Sequence, residues 1–550
     1  MNFTIAQVLV DLPIEGPFDY LIPDDLMLRA VAGARVLVRF AGKKRVGVIV
    51  RCLKSSAHAG ALSTLMSVLD TAPVFSPEFL SLADDVARRF ACTTGEALAL
   101  FLPAYLRGNK KFEAPLFKMS TGASTRELIF DRGQSKRWDI LLPRISTALQ
   151  EGKGVLVLLP ESSRCPQVLP KLGPLVKADA RVFFSKGTDK DEYKRWLSVR
   201  AGTASLVAGF ISAVFAPVRD LGLIVMMDEE SPFYRHDQSP FYHARDIAFM
   251  RAAREGCDLL FVSSAPSVEL WQRVLDKDVS LIRLQEVLAD VKCLDLSNFK
   301  MRKGTFLSPG LRNHMEAMMK ENRKVLLYIQ AARGVQGVMD EVKKYFPAAI
   351  VAGYDKASLA LPDAFDVLVA TQAVFRHRMS LKVSLACVLD IDWEFHKHDY
   401  QAPHAAFALV SHLRQMTHEH VLLQTRHAAD PLLHVLATDN ADDFYHHELS
   451  LRREMGLPPF QAMVMIIIRS ADPLLACSQA KSLYDILMSK DWNDVIILEP
   501  QEDRTAIVRG KFRHCVVVHG PDVGVLVAQV KEVLKGFHPK KDTIVTVNAA

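Results

Sequence analysis

LGLIVMMDEE (221–230) is an almost unbroken apolar run that ends on three acids. A strand this apolar is buried on both faces, the condition of a parallel sheet covered by helices. GVLVLLP (154–160), ASLVAGF (204–210) and DLLFVSS (258–264) have the same character, and polar–apolar segments of helix length separate them. After a break near 285–320 the pattern repeats in KVLLYIQ (324–330), AAIVAGY (348–354), FDVLVATQ (365–372), SLACVLDID (384–392) and HVLLQT (420–425). The alternation predicts two consecutive doubly wound α/β units of about 150 residues each.

Toward the N-terminus, RVLVRFAGKKRVGVIVRCLK (35–54) alternates around a Gly-containing turn and predicts a β-hairpin with a basic tip. No acid lies between Asp25 and Asp70, whereas Arg29, Arg35, Arg39, Lys43, Lys44, Arg45, Arg51 and Lys54 do. Such a hairpin can face a phosphate backbone, although lysines also protect ordinary edge strands. Beyond about residue 440, DDFYHHELSLRREMGLPPF (442–460) is helical in pattern. It precedes strands MVMIIIRS, DVIILEP, AIVRG and HCVVVHG and an amphipathic helix over 472–488, which predict a compact α+β domain.

The 550 residues are 49% hydrophobic and 24% charged, with 27 Gly and 27 Pro, which excludes a fibrous or largely disordered chain. A net charge of +6 does not by itself diagnose a nucleic-acid partner, so its distribution matters more. No run reaches the roughly 18 apolar residues of a membrane span, and MNFTIAQVLVDLP lacks a basic leader region, so a soluble, cytoplasmic chain without membrane contact is expected. The eight cysteines contain no CxxC pair, and ten of the 18 histidines fall between His396 and His447. Without a helical HExxH spacing these histidines read as solvated surface residues, and no metal site is expected.

Further residues carry a family likeness. PFDYLIP (17–23), VRFAGKKRVGVIV (38–50), VLDTAPVFSPEFL (68–80) and ARRFACTTGEALALFLP (87–103), then VLVLLPESSRCPQ, the segment Asp220 to Arg251, FDVLVATQAVF, LACVLDID and FYHHELSLRREMGLPPF (444–460), resemble the primosomal protein N′ (PriA) family of superfamily 2 replication-restart helicases. The resemblance implies a β-rich 3′-DNA-binding domain over 1–108 and a linker over 109–126 without the family's winged helix. It further implies RecA-like lobes over 127–290 and 291–438, the second lacking the family's zinc insertion, and a C-terminal α+β domain over 439–550.

The motor motifs depart from the family. A phosphate loop needs glycines, a lysine for the β and γ phosphates and a hydroxyl for Mg²⁺. The corresponding DRGQSKRW (131–138) retains Gly133 and Ser135 but places Lys136 at the last glycine, Arg137 at the lysine and Trp138 at the hydroxyl. Asp228 and Glu229 persist where the family coordinates Mg²⁺ and activates water, but Ser231 replaces a histidine and SSAPS (263–267) is one residue short. Arg376 and His377 replace a lysine–glycine step, and an arginine-rich stretch is missing between Leu413 and Val421, leaving Arg414. No catalytic residues, ATP, magnesium or zinc are therefore expected, and Gly133, Ser135, Lys136 and Arg137 read as a vestigial nucleotide loop.

For DNA, the resemblance assigns stacking of a 3′-terminal base to Phe18 and hydrogen bonding to Asp19, with Ala41 and Ser63 departing from family residues. Phe18 also reads as a core aromatic. Lys43, Lys44, Arg45 and Arg51, and Arg509, Lys511 and Arg513 alternating on one strand face, are the expected phosphate contacts. The implied function is binding of forked or 3′-ended DNA at the nucleoid, with single-strand-binding protein and helicase-loading proteins as partners. An active 3′–5′ helicase with a divergent site, and a protein scaffold without DNA contact, are the alternatives.

Overall fold

Four sheets organise the chain. The computed structural model describes residues 4–58, 60–112, 122–133, 136–184, 187–284, 288–299, 304–395, 399–438, 440–508 and 510–549. The first sheet is antiparallel, with strands β1 (Ile5–Val10), β2 (Phe18–Leu21), β3 (Arg35–Phe40), β4 (Lys43–Leu53) and β5 (Ser67–Val68) in the order β2-β1-β4-β3-β5. β3 and β4 are the expected hairpin. Its turn residues Ala41 (φ 47°) and Gly42 (φ 76°) both have positive φ, as the two-residue turn that matches strand twist requires. Ala41 thus carries a Cβ in left-handed backbone, at a cost of about 1–2 kcal/mol.

One of the eight cations before Asp70 turns inward. Arg35 is fully buried and paired with Asp70 at 2.5 Å, so it belongs to the core of this domain and not to its basic surface. The following helices are capped by local side chains: Ser76 accepts from the Phe79 N–H, and Thr93 and Glu96 form a reciprocal capping box. These helices join the domain to the first lobe, where Trp196 Nε1 donates to the Phe101 carbonyl (3.1 Å) and Arg89 pairs with Asp246 (2.6 Å).

The first lobe contains β6 (Arg126–Asp131), β7 (Gly154–Leu158), β8 (Arg181–Phe184), β9 (Leu206–Gly209), β10 (Leu221–Met227), β11 (Asp258–Ser263) and β12 (Ser280–Leu284). They form one parallel sheet in the order β12-β6-β11-β10-β7-β9-β8. Alternate residues serve opposite faces: Leu156, Leu158, Ile224 and Met226 enter one apolar cluster, and Val155, Val157, Leu223 and Val225 the other. This two-sided burial is the reason the strands read as unbroken apolar runs.

The second lobe repeats the plan with β13 (Asp290–Asp295), β14 (Val325–Tyr328), β15 (Val351–Tyr354), β16 (Val367–Ala370), β17 (Val383–Val388) and β18 (Thr417–Thr425), parallel in the order β13-β18-β17-β14-β16-β15. The last sheet is antiparallel: β19 (Ala462–Ser470), β20 (Ile496–Ile497), β21 (Gln501–Val508), β22 (Lys511–Gly520) and β23 (Thr543–Ala549), with helices Pro473–Met488 and Val523–Gly536 on one face. The fold class is the expected one. The helix Ala441–Glu454 packs on both lobes: Tyr445 stacks on Trp271 of the first (4.1 Å) and Phe444 on Phe407 of the second (4.2 Å). Among the described residues no helix is long and apolar enough to cross a membrane.

Candidate functional site

The cleft between the lobes begins where β6 runs into the helix Arg137–Gln150. Asp131, fully buried at the strand end, accepts from the Gly133 N–H (3.2 Å) and from Arg137 Nε (2.7 Å). A backbone amide and the cation at the lysine position are therefore already engaged by the chain's own carboxylate. Trp138 packs its indole into the apolar cluster beneath the sheet instead of facing the cleft. Lys136, the residue preceding this helix, is exposed, and Ser135 lies outside the described residues.

Asp228 directly follows β10 with φ 52°, a left-handed conformation for a residue with a Cβ, and is 4% exposed. Three guanidiniums surround its carboxylate. Arg164 Nε lies 2.8 Å from Oδ2, Arg137 Nη1 3.5 Å from Oδ1, and Arg378, which follows β16 in the second lobe, pairs with Oδ1. Burial alone would raise the Asp228 carboxyl. The charges of Arg378, Arg164 and Arg137 outweigh it and hold the carboxyl well below the usual range. Glu229 is equally engaged, accepting from Arg245 Nη1 (2.6 Å), Ser267 Oγ (2.6 Å) and the Ser267 N–H (3.0 Å).

Glu230 accepts from Ser263 Oγ (2.6 Å) and lies 3.6 Å from Arg378. Burial, followed by the Arg378 charge, pushes the His412 imidazole down to about 4. Neutral at ordinary pH, its Nε2 accepts from Arg378 Nη1 (2.6 Å). Asp131, Asp228 and Glu230 thus oppose Arg137, Arg164 and Arg378, three charges of each sign whose side chains are all buried. His404 adds a second contact across the seam, its Nε2 2.8 Å from the Pro266 carbonyl. His404 and His412, expected as solvated, are instead interlobe residues on helix Ala402–Met416, since His404 reaches the Pro266 carbonyl and His412 Nε2 lies 3.1 Å from Glu230 Oε1 of the first lobe. His396 and His398 lie outside the described residues. Arg414 is buried, with its Nε donating to the Ala289 carbonyl (2.8 Å).

The N-terminal sheet is open where this cleft is closed. Lys43, Lys44 and Arg45 are exposed at the hairpin tip, and Arg39 stands directly across from Lys44. Like charges facing each other across strands are destabilising unless an anion lies against them. Among the described residues none of these cations, nor Arg51, makes an ion pair. Arg51 is well removed from the tip, about 23 Å along β4 from Lys44 at the usual rise per residue. It shares a cross-strand row with Gln7 and Asp19. Asp19 accepts from Gln7 Nε2 (3.1 Å) and from the Ser56 hydroxyl. Phe18 is half-buried against the domain core and tilts onto Phe40 at 4.7 Å. Ser63 is exposed, and its carbonyl accepts from the Leu21 N–H (2.9 Å).

Of the three C-terminal cations, Lys511 and Arg513 lie two residues apart on β22 and so on one face of it. Val508 pairs with Lys511 across β21 and β22, and Gly510 between the two strands has φ 73°. Arg509 lies outside the described residues. Arg513 pairs with Asp503 at 2.5 Å and is mostly covered, which leaves Lys511 as the cation of this group without an ion pair among the described residues. Gly510 is the turn signal that distinguishes a hairpin from one long strand.

Sequence reasoning missed Arg164, Arg378, Glu230 and His412 in the cleft and Gln7 and Ser56 beside Asp19. Their only sequence trace is a polar side chain. Among the described residues no group of three or more His, Cys, Asp or Glu side chains is placed to hold a metal.

A family model for the 3′DNA-binding domain (3′BD) of PriA matches residues 7–103. Over most of its length the chain is similar to replication restart protein PriA of Treponema pallidum, 23% identical with 96% of each chain covered. It is also similar to that of Haemophilus influenzae, 22% identical over 94% of this chain and 95% of the relative. Its likeness to the probable replication restart protein PriA of Mycobacterium tuberculosis is 29% identity over 46% of this chain and 43% of the relative.

Proposed function

From the premise that this chain belongs to the PriA family of replication restart proteins, we propose that it binds forked DNA carrying a 3′ end and helps reload the replicative helicase without hydrolysing ATP. Phe18 and Asp19 would receive the 3′ terminus, with Lys43, Lys44, Arg45, Arg51 and Lys511 on backbone phosphates. Single-strand-binding protein and helicase-loading proteins are the proposed partners, at the nucleoid in the cytoplasm.

The observation that carries this reading is the enclosure of Asp228 by three guanidiniums. A magnesium–nucleotide needs that carboxylate free, and it needs loop amides and a cation facing its phosphates. Here the Asp131 carboxylate already holds the Gly133 amide and Arg137. It would also repel a phosphate, and the buried Trp138 offers no hydroxyl. The donor set does not fit magnesium–ATP. The unpaired basic hairpin supports the DNA part of the reading.

A phosphate-release assay with forked DNA, run beside fork binding across a salt series, tests both parts. Binding that weakens with salt, with no DNA-stimulated release, is the expected result. Release abolished by Asp228→Ala would identify an active motor, and fork binding near zero with no salt dependence would identify a scaffold without DNA contact.

A further inference from the structure

We infer that Arg378 locks the two α/β lobes together, its guanidinium standing on Asp228 in place of a divalent cation, so that they keep one closed arrangement with no nucleotide present. This lock presupposes the absence of magnesium–nucleotide on Asp228 proposed above.

Arg378 comes from the second lobe and is 2% exposed, whereas Asp228, Arg137 and Arg164 belong to the first. Separating the lobes would remove Arg378 from a buried cluster of three carboxylates and three guanidiniums and leave the remainder one positive charge short. Breaking a buried multivalent pair is far costlier than breaking a surface one, because the abandoned charge is not resolvated in place. The same segment makes two more crossings: Arg164 Nη2 donates to the Phe375 carbonyl (3.3 Å), and Arg376 lies 4.0 Å from Glu161. Lobes that close around a ligand reopen when it departs. Here the closing cation is part of the chain and does not depart.

The terminal domains share this geometry. The helices of the N-terminal domain are seated on the first lobe through Arg89 and the Phe101 carbonyl, and the C-terminal helix Val523–Gly536 is tied to the N-terminal domain through Lys531 and Glu15 (3.0 Å). With the lobes locked, the basic hairpin and the second lobe keep a constant spacing, as a fixed gauge laid along branched DNA would.

Amide hydrogen exchange of the full chain tests the lock, read over 371–382 with and without magnesium and the non-hydrolysable analogue adenylyl imidodiphosphate. Exchange in the unaltered protein is expected to ignore the analogue, and Arg378→Ala is expected to raise it by about tenfold or more. Arg376→Ala, in the same segment but outside the cluster, is expected to raise it less than about twofold, as a loose, partly exposed pair at 4.0 Å predicts. Slowing of exchange by the analogue in the unaltered protein would overturn both the lock and the nucleotide-free reading. An indifferent unaltered protein with no acceleration in Arg378→Ala would overturn the lock alone. If Arg378→Ala does not fold, Arg378→Gln, with a polar side chain of intermediate length, is held to the same tenfold criterion.

Discussion

Replacing Lys43, Lys44 and Arg45 together by alanine removes the exposed tip of the β3–β4 hairpin without touching its core, because the buried residues of β4 begin at Gly47. The three cations make no ion pair among the described residues, so each is free to displace a counterion from DNA. With about 0.9 counterions released per phosphate contact on a duplex, three contacts contribute a slope of about −2.7 in log affinity against log salt. Between 50 and 200 mM salt that slope alone amounts to an affinity loss of about 40-fold, which the unaltered protein should show in excess of the variant. Fluorescence anisotropy with a labelled fork measures it. Removing the same charge from Lys343, Lys344 and Lys356, exposed on the second lobe, controls for net charge. Equal slopes for the hairpin variant and the unaltered protein would refute the assignment of this hairpin to the DNA backbone.

Ala41→Gly should stabilise the N-terminal domain by about 1 kcal/mol, since glycine accepts φ 47° without the Cβ clash, and urea denaturation monitors it. Gly33→Ala should destabilise the same domain by roughly 2–4 kcal/mol, because its φ is +86° and a Cβ there would lie 1.9 Å from the Phe75 carbonyl oxygen. The folded protein binds a proton at His412 less readily than the unfolded chain does, so the stabilisation is complete above pH 6.5 and is lost as pH falls toward about 4. At pH 5 the loss is about 2 kcal/mol, and His412→Gln should remove that share of the acid sensitivity in denaturation curves taken between pH 7 and pH 4.5. His243, which burial pushes down to about 3, continues to contribute in the variant.

What the sequence revealed follows burial. β7, β9, β10 and β11 lie inside the first sheet, are apolar on both faces, and were legible as continuous runs. β8 and β12 are the edges of the same sheet, and their partly exposed residues and arginines conceal them from that test. The helix Val523–Gly536 and strand β23 also went unread, although they complete the C-terminal sheet. In the cleft, Arg137 and Trp138 were visible as departures from a phosphate-loop pattern. What replaced that loop was not, since Arg164, Asp228 and Arg378 meet only through the packing of two separate sheets. The N-terminal hairpin was legible through its alternation and its Ala–Gly turn, but no pattern in the sequence indicated that Arg35 turns inward to Asp70.

The balanced charges around Asp228 also govern which neighbouring sequences the protein can reach. Restoring lysine at 137 keeps the cation but gives up the Nε contact to Asp131, and restoring threonine at 138 empties an indole-sized space in the core. Removing Arg378 to admit a metal leaves Arg137 and Arg164 on Asp228, two cations that repel the metal. Each backward step is unfavourable until the others have been taken, so the cluster behaves as a mutational ratchet that a lineage can enter one residue at a time and leave only by several changes at once.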